Sequence, residues 1–197
     1  MTAGRSALTA GGVAILVLLG IGLLELASSG SAPRSSAQLS PAQMSARLSG
    51  SSAPLAALHA EAGQLLPGGL AAVRARMAAL RGHGLVINKW ASWCVPCRAE
   101  LRAFQGASVA LGRQVAFIGI DSGDSSRADA LAFLRSFPLS YPSYYDSSGA
   151  AGAAITDSAF TPVTVFLDAR GRQYIHQGPY ASRDKLERDV RHYALDA

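Results

Sequence analysis

The sequence predicts an α/β domain in which helices cover both faces of a mixed central sheet. Three observations lead to this prediction: apolar strand-like runs alternate with segments of helical periodicity, a tight turn joins the last two strand-like runs, and an amphipathic helix follows them. Alternating strands and helices are typical of parallel βαβ units, whereas a short turn joins antiparallel neighbours. The predicted order is strand, helix, strand, helix, strand, strand, helix.

The predicted strands are short apolar runs bounded by glycine or polar residues. They cover residues 85–90, 115–120, 163–167 and 173–176. The last two are joined by a predicted turn over residues 168–171. Residues 138–157, which include several tyrosines, have no regular pattern and are predicted to be irregular.

The predicted helices follow from apolar residues at three- and four-residue spacing. They cover residues 55–66, 70–80, 95–111 and 127–137, and a final helix begins after Ser182. Polar residues that cap helices stand before the last two of these segments.

The N-terminal segment predicts a membrane signal. No charged residue occurs from Ser6 to Leu24. A helix needs about 20 apolar residues to span a bilayer, whereas the apolar core of a cleaved signal peptide has about 7–15. Because the window fits neither range cleanly, residues 1–27 are predicted to be a signal anchor, with a cleaved signal peptide as the alternative. Both alternatives export the remainder of the chain.

Two further segments complete the predicted organisation. Residues 28–54 are dominated by Ser, Ala, Gly and Pro, a composition typical of a flexible linker. Residues 55–197 are predicted to be the folded domain.

Charge and cysteine count exclude several classes of function. The formal net charge is +5, but the arginines are scattered without a basic run, so no nucleic-acid binding is expected. The 2 cysteines cannot form a zinc ribbon, and the 4 histidines are distant in sequence, so no metal site is expected. Arg98 follows the second cysteine, where a haem-attachment motif needs histidine. A redox pair of cysteines remains.

The segment around Cys94 and Cys97 meets the requirements of thiol–disulfide exchange. Cys94 is predicted at a strand-to-helix turn, where the N–H groups and dipole of the helix stabilise a thiolate. Cys97 follows about one turn later on the same side. Trp93 would shield the thiol and offer an apolar surface to a substrate chain. The alternative is a structural disulfide, which would stabilise little because it closes a very short loop.

The stretch WASWCVPCRAE, from Trp90 to Glu100, resembles the active-site segment of the TlpA/ResA/CcmG class of membrane-tethered thioredoxins. This resemblance implies a thioredoxin fold, attack by Cys94, and a cis-proline loop that faces the cysteines. Thr161 and Pro162 match that loop, because Pro162 opens a predicted strand, where proline is tolerated. The X–Pro bond is also the one peptide bond for which the cis form costs little, and an ordinary trans proline is the alternative.

Glu100 is the predicted residue that tunes the cysteines. Asn88 occupies the position at which cytoplasmic thioredoxins carry a buried acid, and an amide cannot serve as a base. Glu100 lies three residues after Cys97 and matches a glutamate of the ResA-like proteins. We expect it to raise the cysteine pKa values or to relay a proton, whereas the alternative is a solvated helix glutamate. Lys89 lies where a core residue is usual, so its side chain must reach solvent or pair.

The expected function is the reduction of disulfides outside the cytoplasm. The resemblance implies a membrane thiol donor, protein substrates such as apocytochrome c, contact of the substrate with Trp93, Thr161 and Pro162, and no cofactor. The direction of exchange depends on the reduction potential, so a disulfide-inserting oxidase or isomerase is the alternative. A thiol peroxidase is a third possibility, but Ala91 stands where such an enzyme needs threonine.

Overall fold

The computed structural model describes residues 38–196. In chain order the strands are β1 (Leu65–Leu66), β2 (Gly84–Trp90), β3 (Val115–Ser122), β4 (Ser143–Asp146), β5 (Val163–Leu167) and β6 (Gln173–Gln177). The helices are α1 (Pro41–Leu48), α2 (Ala53–His59), α3 (Gly69–Ala79), α4 (Val95–Leu111), α5 (Arg127–Ser136), α6 (Ala150–Thr156) and α7 (Arg183–Val190). A π-helical turn, Arg191–Leu195, continues α7.

The strands form one mixed sheet in the order β1-β4-β3-β2-β5-β6. The first four strands of this order pair in parallel, and β5 and β6 pair antiparallel to their neighbours. The predicted mixed sheet is therefore confirmed. β2 lies between β3 and β5, and each of its seven residues is buried.

Helices cover both faces of the sheet because consecutive strand residues point to opposite sides. Val86 and Phe166 pack with α4, α5 and α7, whereas Ile87 and Val165 pack with α2, α3 and α6. The two clusters share the same buried strands, so neither face of the sheet is open at its centre.

Two segments differ from their predicted structure. Leu65 and Leu66, predicted to be helical, form a strand, because α2 ends at His59 and Gly63 adopts a left-handed conformation with φ of 70°. The segment predicted to be irregular contains β4 and α6. β4 has little strand pattern of its own, and its residues become a strand by pairing with both β1 and β3.

The folded unit also begins earlier than the predicted boundary at residue 55. α1 lies within the predicted linker, where Ser40 and Gln43 form a reciprocal capping box at its N-terminus. Met44 and Leu48 are buried, so part of the segment predicted to be a flexible linker is packed against the domain. Small residues dominate the segment, but two apolar residues four positions apart are enough to anchor one helix.

The predicted signal segment, residues 1–27, and the first part of the predicted linker lie outside the described residues. Within residues 38–196, none of the helices has the length and apolar character needed to cross a membrane.

Replacing Met44 by Ala tests whether α1 belongs to the folded domain. We expect the free energy of unfolding to fall by about 2–4 kcal/mol, since a buried methionine is lost. Urea denaturation measures this change. The matched control is Arg47→Ala on the exposed side of α1, with an expected effect within about 0.5 kcal/mol. Equal effects of the two substitutions would contradict the packing of α1.

Candidate active site

The two cysteines form a disulfide at the junction of β2 and α4. Cys94 is the N-cap residue of α4, and the backbone N–H of Cys97 donates to its Sγ at 3.2 Å. The two Cα atoms are 5.3 Å apart. Since Cys94 caps a helix and receives a backbone N–H, its sulfur lies where a thiolate is stabilised.

The disulfide is covered, but its neighbours are exposed. Cys97 is fully buried and Cys94 is 3% exposed. The adjacent Trp93 and Val95 are 60% and 74% exposed. These apolar side chains therefore form a surface beside the sulfur that a substrate must reach.

The Thr161–Pro162 peptide bond is cis, as predicted. Lys89 near the end of β2 pairs with Val163 at the start of β5, so the end of one strand lies beside the start of the other. This topology places Thr161 and Pro162 at the same edge of the sheet as the turn that carries Cys94. Pro162 is buried and Thr161 is half-buried.

Phe160 adds an apolar residue that the sequence analysis did not identify. Its side chain is 69% exposed, and it stands two residues before the cis proline. Val95, between the cysteines, was also missed. The available signals were an apolar residue within the C-x-x-C segment and a large apolar residue directly before Thr161.

Glu100 is fully buried, which rules out the alternative of a solvated helix glutamate. Its Oε1 accepts a hydrogen bond from Nδ2 of Asn88 at 2.8 Å, and its Oε2 accepts one from the backbone N–H of Tyr180 at 3.1 Å. Burial raises the pKa of Glu100 to about 7, against the opposing effect of these two hydrogen bonds. Glu100 can therefore gain or lose a proton near neutral pH.

Asn88 suits both protonation states of Glu100. In the described structure its amide donates to the carboxylate, while its Oδ1 is buried without a hydrogen-bond partner among residues 38–196. A rotation of the amide by half a turn would offer Oδ1 as acceptor to a protonated Glu100. The amide of Asn88 stands where cytoplasmic thioredoxins carry a buried acid, and here it binds a buried acid on a different element, Glu100 of α4.

Lys89 forms a hydrogen bond within the protein, one of the two outcomes expected for a lysine at a core position. Its Nζ donates to the carbonyl oxygen of Ser158 at 2.7 Å. Burial lowers the pKa of Lys89, and the nearby Asp146 partly offsets this effect. The side chain connects β2 to the segment that leads into Phe160 and the cis proline.

No group of three or more His, Cys, Asp and Glu side chains is placed to hold a metal ion within the described part of the chain. The site consists of a disulfide, exposed apolar neighbours and buried ionisable groups.

The fold and the site together define a class of protein. A mixed sheet with helices on both faces, a disulfide-forming C-x-x-C pair at a helix N-terminus and a cis proline at the same edge make up a thioredoxin-fold redox centre. This is the arrangement found in thiol–disulfide oxidoreductases.

The comparisons with known proteins agree with this class. Residues 49–188 match the Redoxin family, so the chain belongs to that family. It is 29% identical over 115 residues to the thioredoxin-like protein YneN of Bacillus subtilis, covering 55% of this chain and 66% of YneN. It is 28% identical over 109 residues to the thiol-disulfide oxidoreductase ResA of Oceanobacillus iheyensis, covering 55% of this chain and 56% of ResA. The chain thus spans between about half and two thirds of the length of these relatives.

A solved structure is similar as well. The secreted disulfide oxidoreductase of Mycobacterium tuberculosis, described as homologous to Escherichia coli DsbE, is 26% identical with a TM-score of 0.53. The similarity covers 58% of this chain and 85% of that protein. The resemblance to the TlpA/ResA/CcmG class is confirmed by these matches.

Replacing Glu100 by Gln tests the buried carboxyl. The folded pKa of about 7 lies above the ordinary value of 4.5, so the folded state binds the extra proton between these values and loses stability as the pH rises through this window. At each pH the free energy of unfolding of the Gln variant is compared with that of wild type. We expect this difference, variant minus wild type, to be about 2–3 kcal/mol larger at pH 8 than at pH 5. Urea denaturation of the oxidised proteins at both pH values measures this difference.

The control for this measurement is Glu187→Gln, which removes a carboxylate paired with Arg183 on α7. Its effect on the free energy of unfolding should be similar at the two pH values. A pH-independent effect of Glu100→Gln would contradict the raised pKa of Glu100.

Proposed function

We propose that this protein is an extracytoplasmic thiol–disulfide oxidoreductase that reduces disulfides in exported proteins, such as apocytochrome c during cytochrome c maturation. The observation that carries the proposal is the Cys94–Cys97 disulfide at the start of α4, with the buried Glu100 one turn further along the same helix. The membrane thiol donor and the substrate are parts of the proposal.

In the first step the thiolate of Cys94 attacks one sulfur of the substrate disulfide. A bond forms between Cys94 and that sulfur, the substrate S–S bond breaks, and the other substrate sulfur leaves as a thiolate. Cys97 then attacks Sγ of Cys94 and displaces the substrate. Two electrons pass to the substrate, and the protein is left with the Cys94–Cys97 disulfide.

Glu100 is proposed to take up the proton of Cys97 during the second step. Cys97 is fully buried, so its thiol needs a base within the protein. Residues three apart on a helix are neighbours on one face, and Glu100 has a pKa of about 7. A carboxyl with that pKa is suited to proton transfer at neutral pH.

The substrate is proposed to lie against Trp93, Thr161 and Pro162. Both ladders of β5 begin at Val163, so Thr161 lies just outside them at the edge nearest the disulfide. The exposed Trp93, Val95 and Phe160 supply apolar contact for a peptide chain. Contacts of this kind accept many sequences, which suits a protein with several substrates.

The location outside the cytoplasm is proposed from the N-terminal window without charge and from the relatives. The M. tuberculosis protein is described as secreted. Under this proposal, residues 1–27 either anchor the chain to the membrane or are removed after export.

A disulfide-inserting oxidase is the second candidate. The observation that favours it is the position of Cys94 at the helix N-terminus, since a strongly stabilised thiolate makes the disulfide more oxidising. The reduction potential decides between the two directions.

Equilibration of residues 38–197 with glutathione or dithiothreitol measures the reduction potential of the Cys94–Cys97 pair. We expect a value near that of thioredoxin, about −270 mV, because a reductase must be kept reduced by its donor. A value near about −120 mV would overturn the reductase proposal and favour the oxidase. Cys97→Ser, which cannot form the intramolecular disulfide, serves as the control.

A trapping experiment tests the substrate and the location. In the full chain with Cys97→Ser, the mixed disulfide with Cys94 cannot be resolved, so substrates should accumulate as covalent adducts. We expect exported proteins with C-x-x-C-H segments among them, as judged by mass spectrometry of adducts from intact cells. The matched control replaces both cysteines by Ser and should give no adducts. Adducts only with cytoplasmic proteins would contradict the proposal.

A further inference from the structure

Ser92, two residues before Cys94, is held by every polar atom it has. Its backbone N–H and its hydroxyl donate to the two carboxylate oxygens of Asp124, at 2.7 Å and 2.8 Å. Its carbonyl oxygen accepts from Nη2 of Arg98 at 3.0 Å. The turn that carries the reactive cysteine is therefore held between a carboxylate after β3 and a guanidinium on α4.

Arg98 also contacts an aromatic ring on the neighbouring helix α5. Its guanidinium carbon lies 5.5 Å from the ring centre of Phe133, over the ring of a residue on α5. Ser92 is thus linked to the loop after β3 through Asp124, and to α4 and α5 through Arg98. The turn continues with the N–H of Cys94 donating to the carbonyl of Ala91 at 3.2 Å.

A second carboxyl, Asp121, stands three residues before Asp124 in the chain. Asp121 is fully buried at the end of β3, and neither of its oxygens meets a donor from the described residues. Burial raises the pKa of Asp121 to about 9, and the nearby Asp124 carboxyl adds to the rise. A protonated Asp121 would donate to Asp124, which resolves the lack of a partner.

We infer that Asp124 is a positioning residue of the dithiol centre, which holds the Ser92–Cys94 turn in place and is itself held by a hydrogen bond from the Asp121 carboxyl. This carboxyl pair lies on β3 and the loop after it. It is separate from Glu100, which lies on α4 and contacts Asn88 and Tyr180.

The groups around the pair determine its response to pH. Asp146 on β4 adds a negative charge that raises the pKa of Asp121 further. Lys89 on β2 is directed to the carbonyl of Ser158, Arg98 on α4 to that of Ser92, and the hydroxyl of Tyr145 to that of Asp124. None of these groups donates to Asp121, so a second negative charge there would be uncompensated.

The protonation of Asp121 determines the direction of the pH dependence. Below pH 9 the proton on Asp121 joins the two carboxyls and the turn is held. Above pH 9 Asp121 is ionised, repulsion separates the two carboxyls, and Asp124 loses its support. Asp121→Asn keeps a donor of the same shape but cannot titrate, so it should hold the turn at every pH.

Fluorescence of the oxidised protein tests this, because the disulfide removes thiol titration from the measurement. The indole of Trp93 lies 3.4 Å from the carbonyl oxygen of Gly123, next to Asp124, and therefore reports on the turn. We expect a transition near pH 9 in wild type and none in Asp121→Asn. Trp93→Phe isolates the signal of the buried Trp90, and circular dichroism checks that each variant is folded.

The second measurement is the rate at which the reduced protein attacks a small aromatic disulfide at pH 7. We expect Asp124→Ala to slow it about tenfold, because the turn loses both hydrogen bonds that Ser92 donates to the carboxylate. Asp129→Ala is the matched control: Asp129 lines the same cleft as Ser92 and Trp93 but does not bind Ser92, and its removal should change the rate less than twofold.

Two results would overturn the inference: a pH transition that persists unchanged in Asp121→Asn, or equal rates for Asp124→Ala and wild type. The inference rests on the proposed function only in that it concerns the same cysteines. The fluorescence measurement needs no exchange activity, so its failure is distinguishable from a reduction potential that contradicts the reductase.

Discussion

The junction between β2 and α4 is the feature on which the rest of the structure depends. β2 is buried along its whole length between β3 and β5, so the point at which it ends is rigidly placed. The helix that follows begins with Cys94 as its cap, and the backbone N–H of Cys97 in its first turn donates to the Cys94 sulfur. A buried strand and a capped helix together fix one sulfur at the edge of the sheet.

The ionisable groups near this junction are buried from two directions. Glu100 lies on α4 after the cysteines, where one side-chain amide and one backbone N–H donate to its carboxylate and offset the cost of its burial only in part. Asp121 and Asp124 lie at the end of β3, where two carboxyls stand close together. Burying a charge is costly unless it is paired, so each of these sites favours a proton that a solvated carboxyl would not keep at neutral pH.

The exposed apolar surface beside the disulfide is built differently from the redox pair. Trp93 and Val95 come from the cysteine segment, whereas Phe160 comes from the segment before the cis proline. Lys89 connects the two segments through the carbonyl of Ser158. A buried polar contact therefore links the two segments, while their apolar side chains remain exposed.

The central strands, the long helix after Cys94 and the C-x-x-C pair could be predicted from the sequence, because each depends on local periodicity or on a motif of adjacent residues. The cis form of the Thr161–Pro162 bond was expected from the family resemblance alone. The tertiary structure alone decided the pairing of β4, since residues 143–146 become a strand only beside their neighbours. It also decided that Met44 anchors a helix, that Glu100 is buried, and that Asp124 reaches Ser92. The physical reason is the same in each case: burial and hydrogen bonding depend on residues that are distant in the chain, and no local pattern records them.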